Sequence, residues 1–82
     1  MRLTLYSKPG CHLCDEAKAK IAGLKARGYD FIVDERDITT DPSLFDRYRY
    51  AIPVVELPDG RILEAPISEY KLEQLITSRL SC

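Results

Sequence analysis

Two cysteines three residues apart, Cys11 and Cys14, stand in the run Ser7-Lys8-Pro9-Gly10-Cys11-His12-Leu13-Cys14. Thiols at this spacing support two chemistries. One cysteine can attack a disulfide while the other resolves the mixed disulfide that results. Alternatively, both can ligate a metal. The pair closes too short a loop to staple a fold. A third cysteine, Cys82, is the last residue. An odd cysteine count without a secretory signal points to a reducing, cytoplasmic setting, where a close pair does redox or metal work. A closed zinc site needs four ligands. Cys11, His12 and Cys14 offer three, two of them adjacent in sequence. The redox reading is therefore favoured, and no metal site is expected. His12 is expected at the surface and Cys82 as a spare thiol at a fraying end.

The elements around the pair assign its two thiols. Leu3-Thr4-Leu5-Tyr6 reads as a strand ended by Pro9 and Gly10. Leu13, Ala17, Ile21 and Leu24 recur at helical spacing and predict a helix from about His12 to Arg27, stopped by Gly28. Cys11 then falls at a helix N-terminus. The unpaired N–H groups and the positive end of the helix dipole there favour an anion, and Lys8 adds positive charge. Cys11 is expected to be the nucleophile. Cys14, one turn further along roughly the same face, is expected to resolve.

The remaining chain reads as strand Tyr29–Val33, a polar loop from Asp34 to Thr40 and a helix from about Pro42 to Arg49 capped by Asp41. A hairpin follows, with strands Pro53–Leu57 and Arg61–Ala65 around Pro58-Asp59-Gly60. A helix from about Glu69 to Arg79, with Ser68 as its cap, completes the chain. The order β-α-β-α-β-β-α predicts an α/β protein in which helices cover both faces of a four-stranded mixed sheet. Residues 1–82 form one domain at this length. Pro53 suits a strand's first position, and an X–Pro bond is trans by default.

Composition excludes several partners. Lys and Arg number 12 against 13 Asp and Glu, a net charge of −1, which is no nucleic-acid footprint. No apolar run approaches the ~20 residues that span a bilayer. A monomer is expected.

Taken together, the dithiol after a first strand, the amphipathic helix and Ile52-Pro53-Val54 before a hairpin resemble the thioredoxin-fold superfamily. Within it the chain looks like a glutaredoxin-like protein, and Lys8-Pro9-Gly10-Cys11-His12-Leu13-Cys14-Asp15 carries that resemblance most specifically. The resemblance implies a thiol–disulfide oxidoreductase with Cys11 as nucleophile and Cys14 as resolving thiol, the two forming a redox-active disulfide. It implies Pro53 as a cis-proline against the dithiol and Val54 as a main-chain pairing site for substrate. Lys8 and, more weakly, Arg49 match positions that contact glutathione carboxylates. Ser68 and the N–H groups behind it occupy the region that holds the glutamyl end. Glutathione would be co-substrate rather than bound cofactor. Partners would be a disulfide-containing protein or glutathione, with a reductase or glutathione as electron donor. The sequence departs from the usual pattern where Glu64-Ala65-Pro66-Ile67-Ser68-Glu69 replaces a glycine pair. A metal or iron–sulfur carrier and a redox-inert interaction domain remain as alternatives.

Overall fold

The computed structural model describes the backbone of residues 2–80 and the side chains of residues 2–77; Cys82 lies outside the described residues. The first strand, β1 (Arg2–Ser7), buries Leu3, Leu5 and Ser7 on one face and turns Thr4 and Tyr6 to the other, as the pleat of a strand dictates. The helix α1 (His12–Ala26) presents Cys14, Ala17, Ile21 and Leu24 as its buried stripe. Gly28, at φ +104°, turns the chain out of the helix. Strand β2 (Ile32–Asp37) lies parallel to β1, with Leu5 opposite Glu35 and Ser7 opposite Asp37. One 3-10 turn (Ile38–Thr40) leads to α2 (Pro42–Tyr48), which Asp41 caps by accepting the Ser43 N–H at 2.9 Å. Strand β3 (Val54–Glu56) runs antiparallel to β1, and β4 (Ile62–Glu64) antiparallel to β3. The helix α3 (Glu69–Leu80) follows. The sheet order is β2-β1-β3-β4, so β1 and β3 are central.

Side-chain alternation along the sheet divides the core. The larger cluster joins Leu3 and Leu5 of β1 to Ala17, Ile21 and Leu24 of α1 and to Leu72 and Ile76 of α3. The smaller cluster, on the α2 side, joins Cys14, Ile38, Tyr48, Ile52 and Val54. Helices therefore cover both faces of the sheet. Arg27 at the end of α1 pairs with Glu73 of α3 at 2.6 Å, and the Tyr29 hydroxyl donates to the same carboxylate at 2.7 Å.

Two expectations need correction. The second strand runs from Ile32 to Asp37, not Tyr29 to Val33, and residues 34–37 are strand rather than loop. Phe31, 3% exposed, and Tyr29 plug the core ahead of the strand. Because β2 is an edge strand, charged residues fit its open flank, and burial no longer marks its extent. Leu13 is 50% exposed while Cys14 is 1% exposed, so the cysteine takes the stripe position expected for the leucine. The Ile52–Pro53 bond is cis, as the resemblance implies and against the trans default of bond frequencies, and Ala65–Pro66 is cis as well.

Candidate active site

The turn from β1 into α1 fixes the first thiol. The Cys11 N–H donates to the Lys8 carbonyl at 3.3 Å, and Gly10 takes φ +75°, a backbone region that side chains rarely enter. Cys11 then becomes the N-cap of α1. Its Sγ accepts the Cys14 N–H at 3.3 Å, the place where a capping oxygen usually sits. The sulfur faces otherwise unsatisfied donors at the positive end of the helix. Both thiols are free, with Cys11 half-buried and Cys14 buried.

Cys14 differs in kind. Burial first, and then its hydrogen bond to Cys11, push its thiol up to about 11. The proton therefore stays on Cys14, whose S–H is the donor between the two sulfurs. Ile38, Tyr48, Ile52 and Val54 pack around it, and Cys11 lies against the same cluster. One accessible sulfur with helix donors, backed by one protonated buried sulfur, is an asymmetric dithiol.

The other predicted site residues fall in several parts of the fold, and of them Val54 shares the cluster that holds both cysteines. Val54 is fully buried at the head of β3, in register with Tyr6 and Glu64. Pro53, also buried, borders a cleft of about 210 Å³ with Leu13, Ala17, Lys20, Pro66 and Ile67. Lys20 donates to the Ile67 carbonyl at 2.6 Å and ties this segment to α1. Ser68 accepts the Lys71 N–H at 3.3 Å, so its hydroxyl caps α3. Arg49 lies just past α2, its guanidinium 4.8 Å from the Tyr50 ring centre and 5.7 Å from that of Phe45. Lys8 is exposed and lines a separate cleft of about 320 Å³ that also contains Ser7, Lys18, Glu35 and Asp37. His12 is exposed at the first position of α1.

That second cleft contains residues the sequence did not single out. Lys18 Nζ meets Glu35 Oε2 at 2.7 Å, and Ser7 Oγ donates to the same oxygen at 2.8 Å. These bonds, from Lys18 first and Ser7 second, hold the Glu35 carboxyl below its ordinary value and raise the Lys18 ammonium above its own. The one signal in the sequence is that Lys18 stands four residues after Cys14. Glu35 fell in a stretch expected to be loop. Among the described residues, no three His, Cys, Asp or Glu side chains gather as a metal-ligand set. No described helix is long and apolar enough to cross a membrane.

A four-stranded mixed sheet with the dithiol on its first strand-to-helix turn and a cis-proline before β3 defines the thioredoxin fold. Within that class the chain belongs to the Glutaredoxin-like domain (DUF836) family, which it matches over residues 2–77. It is similar to the X-ray structure of a structural genomics target protein from X. campestris, with 34% identity, TM-score 0.77, and coverage of 93% of this chain and 96% of that one. The solution structure of the same target gives 32% identity, TM-score 0.73 and 95% coverage of each chain. A mutant thioredoxin from Halobacterium salinarum NRC-1 shares the fold at 22% identity, TM-score 0.72, and coverage of 94% of this chain and 72% of that one.

Proposed function

We propose that the protein is a thiol–disulfide oxidoreductase of glutaredoxin-like type. The observation that carries this reading is the asymmetry of the dithiol, with Cys11 Sγ on the helix N-terminus and Cys14 buried and protonated beside it. The Cys11 thiolate attacks one sulfur of a substrate disulfide. That S–S bond breaks, a first substrate thiolate leaves, and Cys11 is joined to the other half. Cys14 then loses its proton to solvent and attacks Cys11 Sγ, releasing the second thiolate. Two electrons pass to the substrate, and the Cys11–Cys14 disulfide remains. A reductase or glutathione restores the dithiol. No bound cofactor enters these steps.

Substrate main chain approaches at the Ile52–Pro53 end of β3, because β1 and β4 already flank the strand. Lys8 and Arg49 are the cations available to a substrate carboxylate. The test is exchange with glutathione mixed disulfides and with protein disulfides in a Cys82→Ser background. Cys11→Ser should reduce turnover to the uncatalysed background. Cys14→Ser should accumulate a mixed disulfide on Cys11, visible by intact mass. Full turnover by Cys11→Ser would overturn the assignment of roles.

A further inference from the structure

Lys18 lies one helical turn beyond Cys14 on α1, and positions four apart are neighbours on a helix surface. Its ammonium is held in place. Glu35 Oε2 on β2 binds it at 2.7 Å, and Ser7 Oγ anchors that oxygen at 2.8 Å. Ser7 is 3% exposed and is the last residue of β1, so the anchor belongs to the same strand-to-helix connection that places Cys11. The ion pair and its anchor thus restrain the ammonium of a side chain that starts one helical turn after Cys14.

The surroundings of Cys14 hold few other charges. It meets Val54 from the sheet, Ile52 from the loop before β3, Ile38 from the 3-10 turn and Tyr48 from α2, and Tyr6 stacks on Tyr48 at 4.6 Å. Lys18 acts on the Cys14 thiol in the direction that favours the thiolate, and Cys11 acts the other way. Asp15 faces Lys18 from α1, and Asp37 faces Glu35 from β2.

We infer that Lys18, fixed by Glu35 and Ser7, is a positioning residue for resolution: its ammonium stabilises the Cys14 thiolate as that thiolate forms and attacks Cys11. This inference rests on the dithiol-exchange reading. The Cys14 proton goes to solvent, the Cys14–Cys11 S–S bond forms, and the bond from Cys11 to substrate breaks. The electron pair leaves with the substrate thiolate. The ammonium keeps its own protons throughout. It speeds the step without joining it.

The test mixes reduced Cys82→Ser protein with an aromatic disulfide that releases one coloured thiolate at each exchange. The first phase reports attack by Cys11 and the second reports resolution by Cys14. Lys18→Met keeps the aliphatic stem and removes the charge. It should slow the second phase about three- to fivefold, as expected for losing one partly exposed charge, and leave the first unchanged. The second phase's rate–pH curve should move to higher pH. Lys18→Arg should restore both. Glu35→Gln removes the compensating anion and should move the curve to lower pH. An unchanged second phase in Lys18→Met, equal slowing of both phases, or failure of Lys18→Arg to restore the rate would overturn the inference. If the parent protein releases a single coloured equivalent, the exchange reading itself fails, and that is seen before any comparison of variants.

Discussion

Cys11 and Cys14 differ because one caps a helix and the other lies on that helix's buried face. The cap leaves Cys11 half-buried with its Sγ among backbone donors, whereas burial gives Cys14 a proton that is hard to remove. Carbon NMR of Cβ-labelled cysteines in Cys82→Ser protein should place the Cys14 transition near pH 11; a transition near 9.0, the ordinary thiol value, would contradict its burial. Linkage fixes the sign of the stability effect. The unfolded thiol ionises at about 9 and the folded one at about 11, so the contribution is present below pH 9 and is lost as pH rises towards 11. Once oxidised, the Cys82→Ser protein has no thiol left to titrate. Its melting temperature should fall less steeply than that of the reduced form between pH 9 and 11. Parallel declines would rule this term out.

At the scale of elements, the cap of α3 separates two roles for one residue. Ser68 accepts the Lys71 N–H, and its region was expected to meet the glutamyl end of glutathione. Ser68→Ala should cost about 0.5–1 kcal/mol in urea denaturation, the usual loss of a capping bond. As a cap, Ser68 should leave the Michaelis constant for glutathione disulfides unchanged. A rise in that constant without loss of stability would make it a ligand residue instead. Helices were the most legible elements in the sequence. Cys11, Asp41 and Gly28 mark their ends with side chains or backbone freedom that act locally, and the predicted ranges agree with the structure to within about a residue. The second strand was not legible in the same way. Tyr29 and Phe31 resemble strand residues but serve the core, while Asp34-Glu35-Arg36-Asp37 resembles a loop and is strand. Edge position decides both, and a single sequence does not show which strand is the edge. The Lys18–Glu35–Ser7 contact was hidden for the same reason, since it depends on that strand's register.

The whole molecule is held by a thin core. A domain of 82 residues has a total stability of about 4–12 kcal/mol. Leu24 is 0% exposed and joins α1 to the larger cluster. Leu24→Ala should cost about 2–5 kcal/mol, a large share of that total. It should lower the denaturant midpoint strongly while preserving Cys11 reactivity in whatever fraction remains folded. Loss of Cys11 reactivity in the folded fraction would show that the dithiol depends on the larger cluster directly. The smaller cluster should matter differently. Tyr48 is packed with Cys14 rather than with Leu24, so Tyr48→Ala should alter resolution as well as stability.

The alternation of β1 also governs how chain length can vary. Leu3, Leu5 and Ser7 share one face of the strand, and the turn to Cys11 starts from that face. One residue inserted between Leu5 and Ser7 reverses the alternation from that point on. Ser7 would face α2, Glu35 would lose its hydroxyl, and the helix carrying both thiols would start from the wrong side of the sheet. The exposed turn Pro58-Asp59-Gly60 between β3 and β4 carries no such double duty. Insertions and deletions should be absorbed there and rejected inside β1, whose one alternation serves both the core and the anchor of Glu35.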